Sequence, residues 1–173
     1  MPRVLGIDPG SRVTGWGVLE GGAGNASCVA WGTIRAGEDR PLGERLQRIH
    51  ERLSEVIREF GPAAAALERV FLNRNVDSAL KLGHARGVVV LAVQQGGVPL
   101  FEYTPAQVKR LVTGSGRAEK AQVGFLVKTL LRLPEVPQED AADALAIAWT
   151  HLLVQGAQRV LGGAGGGRTG GSG

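Results

Sequence analysis

The stretch Val4-Leu5-Gly6-Ile7-Asp8-Pro9-Gly10-Ser11 sets the architecture of this chain. Its apolar run is bounded by turn residues and reads as a buried strand. Pro9-Gly10 turns the chain at once and leaves Asp8 at the strand's carboxyl end, where sheet-based sites are commonly built. Aspartate also starts turns for purely local reasons. The meaning of Asp8 therefore depends on what the rest of the chain brings beside it.

Outward from that stretch, residues 12–19 read as a second strand with Gly15 and Gly17 on one face, and residues 27–35 as a third. Three strands joined by short turns suggest an antiparallel meander. The two glycines either admit close approach by another backbone or a ligand, or mark a bent or bulged strand. Apolar residues from Leu42 to Phe60 then recur at three- and four-residue steps, and Gly61-Pro62 ends that helix. Its charged residues, Arg45 among them, read as a solvated face with no special role.

Residues 63–68 repeat the logic of the opening, an apolar run ending in the acid Glu68. A strand reached through a crossover helix is normally parallel to its neighbour, which would put Glu68 and Asp8 on the same sheet edge. A loop follows, then a helix starting at Asn75 or Asp77 and running to about Gln95, then a strand over 98–103. Thr104 and Pro105 suit the start of a further helix. Gly114-Ser115-Gly116 breaks it, and residues 118–132 form another. The last helix runs from Gln138 to about Gln155 and carries Asp140 and Asp143 on one face. Its many alanines allow it to lie close to the sheet. Residues 1–155 thus read as one domain, and the Gly-rich residues 156–173 as a flexible tail.

A length of 173 residues with 43% hydrophobic content suits a single globular domain. No apolar run is long enough to span a membrane, and the N-terminus lacks the pattern of an export signal, so a cytoplasmic location without membrane association is expected. Cys28 is the sole cysteine, which excludes an internal disulfide and a zinc site built on cysteines. The net charge of +4 is a weak sign of an anionic partner. More informative is the segment 104–132, where Lys109, Arg110, Arg117, Lys120, Lys128 and Arg132 face a single acid, Glu119.

Asp8, Glu68, Asp140 and Asp143 are candidates for one acidic site. Converging carboxylates repel unless protonated or bound to a cation. Oxygen ligands suit Mg²⁺ or Mn²⁺, and two such ions can activate water against a phosphodiester. Acids in a helix's first turn are also favoured simply by its dipole, by about 0.3–1 kcal/mol each. His151 lies eleven residues beyond Asp140, roughly 16 Å along the helix, and reads as an ordinary helix histidine outside the site. His50 and His84 have no metal-ligand spacing.

Taken together, Gly6 to Gly15, Glu68 with Val70-Phe71, Asp77 to Gly83, and Asp140 to Ala146 resemble the RuvC family of Holliday junction resolvases, in the family's order and over about residues 2–154. The resemblance implies an α/β, RNase H-like fold with a mixed five-stranded sheet flanked by helices. It implies a metal-dependent endonuclease that resolves four-way DNA junctions by paired symmetric nicks, in recombination and repair. Asp8, Glu68, Asp140 and Asp143 would be the catalytic, metal-binding acids, holding two Mg²⁺ or Mn²⁺ ions. Asp140 is the position at which some relatives carry histidine. Phe71 matches an aromatic residue that contacts bases, and Lys109 and Lys120 match basic residues near the scissile phosphate. Arg74 and Lys81, within or beside the same motifs, are further DNA-binding candidates. A homodimer and a RuvA-RuvB branch-migration complex are the implied partners. The residues leave two rival readings: an actin-like or sugar-kinase-like phosphate-binding domain, which shares a strand ending in Asp before a Gly/Ser turn, and a DNA-binding module without catalysis.

Overall fold

The computed structural model describes residues 1–69, 75–114 and 120–163, the side chains of 120, 121 and 163 excepted. The strands β1 (Arg3–Asp8), β2 (Val13–Glu20), β3 (Ser27–Arg35), β4 (Ala64–Glu68) and β5 (Leu100–Tyr103) form one sheet in the order β3-β2-β1-β4-β5. β1, β2 and β3 are an antiparallel meander, while β4 runs parallel to β1 and β5 parallel to β4. The two parallel strands are reached through α1 (Leu42–Phe60) and α2 (Val76–Gln95). After β5 come α3 (Pro105–Thr113), α4 (Lys120–Leu131) and α5 (Glu139–Gly163).

The pleat of the sheet sorts these helices into two layers. Leu5, Ile7, Val18, Ala65 and Leu67 point to one side and pack with Ile49 and Leu53 of α1 and Val89 and Val93 of α2. Val4, Leu19 and Ala66 point to the other and pack against α3, α4 and α5. Side chains alternate along a strand. Asp8, four residues after Val4, and Glu68, two after Ala66, therefore share the face covered by α5.

Local chemistry fixes the helix ends as the sequence predicts. Gly61 closes α1 at φ 53°, a left-handed conformation that glycine adopts without penalty. Asn75 caps α2, its side chain accepting from the amides of Asp77 and Ser78 at 3.1 and 3.2 Å. Thr104 and Gln107 form a reciprocal capping box at α3. Two boundaries differ. β5 begins at Leu100, because the Val98 amide turns back to Val93 O. α5 continues past the expected end near Gln155 to Gly163. A single glycine at 156 weakens a helix by roughly 1 kcal/mol but does not stop it. Residues 156–163 of the expected tail are thus helical, and 164–173 lie outside the described residues. No helix among the described residues is long and apolar enough to cross a membrane.

Candidate active site

Three glycines let α5 rest on the sheet. A Cβ on Gly15 would stand 1.9 Å from Asp140 O, one on Gly6 1.9 Å from Ala144 O, and one on Gly17 2.5 Å from Leu145 Cδ2. Gly15 is the β2 residue opposite Asp8, and Gly6 is opposite Gly17. Close approach by another backbone is therefore what Gly15 of β2 provides, while Gly17 makes room for the Leu145 side chain. The bulge considered for this strand occurs one step on, as a register shift between Val18 and Leu19. Because the backbone of α5 touches the strands, the first turns of the helix are fixed beside Asp8.

Parallel pairing carries the second acid to the same edge. Ile7 stands opposite Leu67, so Asp8 and Glu68 leave adjacent strands side by side. Asp8, Glu68 and Asp143 line one cleft of about 270 Å³ with Lys109, and Pro105, Val108, Val123, Ala146 and Ile147 complete its wall. The four candidate acids and Lys109 are all half-buried. Asp140, one turn before Asp143, lies over Gly15 and is not among the residues lining the cleft.

Cations outside the cleft brace its two strand ends. Thr14 is buried; its Oγ1 accepts from the Gly10 amide at 3.4 Å and donates to Gly10 O at 3.3 Å, closing the turn after Asp8. Arg45 reaches from α1 to the Ser11 carbonyl. This corrects the reading of α1's charges as an idle solvated face. Arg86 of α2 donates through Nη1 to Glu68 O at 2.9 Å and pairs with Glu102 through Nη2. Arg45 and Arg86 escaped the sequence reading because each grips a backbone carbonyl, which leaves no side-chain pattern.

His151 is a second correction. It lies outside the cleft, as expected, but it is buried and shares a 2.7 Å hydrogen bond between Nδ1 and the Tyr103 hydroxyl. Burial holds its pKa below the ordinary imidazole value of 6.5 and raises that of Tyr103. Of the other candidates, Lys81 is exposed on α2, across the sheet from the cleft, and pairs with Asp77 at 2.8 Å. Lys120 opens α4, but its side chain lies outside the described residues, as do Phe71 and Arg74 entirely.

Residues 4–151 match the family model for crossover junction endodeoxyribonuclease RuvC. The chain belongs to the RuvC family. A RuvC from Halorhodospira halophila is 54% identical over 151 residues, covering 87% of this chain and 90% of the relative. One from Alkalilimnicola ehrlichii is 51% identical over 152 residues, covering 88% and 92%. The solved structure of T. thermophilus RuvC in complex with Holliday junction substrate superposes with a TM-score of 0.85 at 39% identity, covering 91% of this chain and 97% of that one. The mixed sheet with its flanking helices is the RNase H-like arrangement of RuvC. Membership in this nuclease family displaces both rival readings, the kinase-like domain and the non-catalytic module.

A RuvC nuclease implies a divalent cation, and the donors present fit one. The cleft offers carboxylate oxygens and neither a thiol nor an imidazole, a set suited to a hard ion. Among the described residues no three His, Cys, Asp or Glu side chains gather into a closed cage. The acids line a cleft rather than a finished coordination shell.

Proposed function

We propose that this member of the RuvC family resolves four-way DNA junctions by paired symmetric nicks, in homologous recombination and DNA repair. The observation that carries the reading is the meeting of Asp8, Glu68 and Asp143 with Lys109 in one cleft. The T. thermophilus relative bound to a Holliday junction supports the choice of substrate.

In this reading Asp8, Glu68, Asp140 and Asp143 are the catalytic acids and would hold two Mg²⁺ or Mn²⁺ ions. Such ions supply an activated water and stabilise the leaving oxygen. Lys109 adds a positive charge to the lining of the same cleft, suited to a phosphate oxygen. Pro105, Val108, Val123 and Ile147 add apolar lining to the cleft, beside which charges interact more strongly than in open water. Phe71 would stack on bases near the junction centre and Lys120 would contact DNA, both carried over from the family motifs, with Arg74 and Lys81 as further DNA-binding candidates.

A homodimer suits a substrate that needs two symmetric cuts. Its support in the structure is α2, where Val76, Leu80 and Leu91 are exposed and a Cβ added at Gly83 or Gly87 would point into open space. A RuvA-RuvB branch-migration complex as partner and a cytoplasmic location follow from the same reading.

The test is incubation of a synthetic four-way junction with Mg²⁺ or Mn²⁺, with linear duplex as control. Paired nicks in the junction alone are expected. Asp8→Asn, Glu68→Gln and Asp143→Asn should each abolish nicking while junction binding persists. Full cleavage by all three variants would overturn the assignment.

A further inference from the structure

Asp143, Ile147 and His151 follow at four-residue steps on α5, so one face of that helix runs from the acid cleft to the buried imidazole. The His151 ring centroid is 4.6 Å from that of Phe101, and Nδ1 is bonded to the Tyr103 hydroxyl. Tyr103 is the β5 residue paired in register with Glu68, and its carbonyl accepts from the Arg69 amide at 2.6 Å. It directly precedes Thr104, the cap of the helix that carries Lys109. One hydrogen bond therefore joins the strand neighbour of Glu68 to the helix that bears Asp143. Neither ring lines the cleft.

This polar contact lies in apolar surroundings. Val108, Val112, Val127, Ile147 and Leu152 share the core cluster with Tyr103. His151 Nε2 is buried without a hydrogen-bond partner among the described residues, whichever nitrogen carries the proton. A pair of apolar side chains of similar size would fill the space and leave no such atom unsatisfied. What it would not supply is direction, because a hydrogen bond fixes distance and angle where apolar packing does not.

We propose that Tyr103 and His151 are a positioning pair that sets the spacing of Glu68 and Asp143 across the cleft. The proposal rests on the reading of those two acids as catalytic. The pair touches no substrate; it holds β5, and through it Glu68 of β4, at a fixed offset from α5. Burial keeps the imidazole neutral, so the tie is a hydrogen bond between uncharged groups and persists across the neutral pH range.

Four variants test this. Tyr103→Phe removes one oxygen and keeps the ring, His151→Leu removes the imidazole, and the double variant combines them. His151→Asn restores an acceptor where Nδ1 stood. The readouts are the single-turnover cleavage rate of a four-way junction, junction Kd without divalent metal, the Mn²⁺ midpoint for cleavage, and the rise in Tm on adding Mn²⁺. Tyr103→Phe and His151→Leu should each slow cleavage about tenfold. Both should raise the Mn²⁺ midpoint and shrink the Mn²⁺-induced rise in Tm, with junction Kd unchanged. The double variant should be no worse than either single one, because the pair acts as a unit. His151→Asn should recover most of the rate.

A merely structural role would lower Tm yet leave the metal midpoint at its wild-type value, and that result would overturn the proposal. So would a His151→Asn variant that cleaves no faster than His151→Leu. If His151→Leu does not fold, Tyr103→Phe carries the test alone. An Asp143→Asn control separates the two levels. If it is inactive while Tyr103→Phe behaves as wild type, the pair is refuted and the acids stand. If it cleaves normally, the assignment of the acids falls and the pair falls with it.

Discussion

Gly15→Ala is the substitution that best separates the geometry of the site from its chemistry. The backbone at Gly15 lies outside the left-handed region, so alanine meets no conformational strain there and the cost is purely steric. The new Cβ would stand 1.9 Å from Asp140 O, where ordinary contact begins at 3.4 Å, so strand and helix must part by about 1.5 Å. The three atoms nearest the new Cβ are all α5 backbone, and no side chain can swing away to absorb the clash. Overpacking of this kind costs typically 1–3 kcal/mol. For a chain of this size each of those lowers Tm by roughly 2–4 °C, so the fold should survive. Cleavage is more sensitive. Asp140 and Asp143 ride on the displaced turn, and about 1 Å of misplacement can cost on the order of 100-fold in rate. Single-turnover cleavage of a four-way junction, measured well below the variant's Tm over a series of Mn²⁺ concentrations, reads this directly. Gly43→Ala, with nothing within 4 Å of its Cβ, is the control and should cleave like wild type. A Gly15→Ala variant with wild-type cleavage would refute the claim that helix–strand contact sets the acids' positions.

Lys109→Ala should cut cleavage while the fold is kept, and a lost phosphate contact should reduce the slope of log affinity against log salt by about 1; an unchanged slope would remove Lys109 from the DNA interface. His151 is held neutral in the fold, its pKa below the ordinary 6.5, so the unfolded chain takes up the proton first as the pH falls. The stability tied to this group is present in full above 6.5 and is lost below it, so His151→Leu should flatten the acid limb of Tm against pH. Burial pushes the Cys28 thiol up to about 11, against an ordinary value of 9.0. At pH 8 roughly one thiol in a thousand is then thiolate, so alkylation should be slow in the native protein and fast after denaturation. Equal rates in the two states would place Cys28 in an exposed setting.

Asp8 and Glu68 were legible in the sequence because a strand ending in an acid before a turn is a local pattern, and the crossover rule then places two such ends side by side. The docking of α5 was legible in part: its alanines announce close approach to the sheet, whereas the glycines of β2 fit close approach and a bulged strand equally well. What stayed hidden depends on distant chain segments meeting. Tyr103 and His151 are 48 residues apart, and neither neighbourhood carries a sign of the other. Arg86 spends its donors on Glu68 O and Glu102, and Arg45 reaches the Ser11 carbonyl. A long cation on a helix looks the same in sequence whether it faces water or a backbone oxygen. The end of α5 was misjudged because glycine content was read as coil, whereas one glycine within a helix is only a modest cost.

The substitutions around the cleft divide into two kinds, and the division bears on what the site needs. Asp8→Asn, Glu68→Gln and Asp143→Asn remove charge at nearly constant shape, and they relieve the mutual repulsion of neighbouring carboxylates. Gly15→Ala keeps every carboxylate and shifts two of them. If charge alone mattered, a cluster of acids with a cation would tolerate the shift by drawing the cation along. If placement matters equally, both kinds should silence cleavage while junction binding, which draws on surface cations, survives in each. The architecture favours the second outcome. Asp8 and Glu68 are fixed by strand pairing, Asp143 by backbone contact between α5 and two strands, and the turn after Asp8 by Thr14 and Arg45. A site needing only negative charge would require none of that bracing, since acids on loops would serve as well.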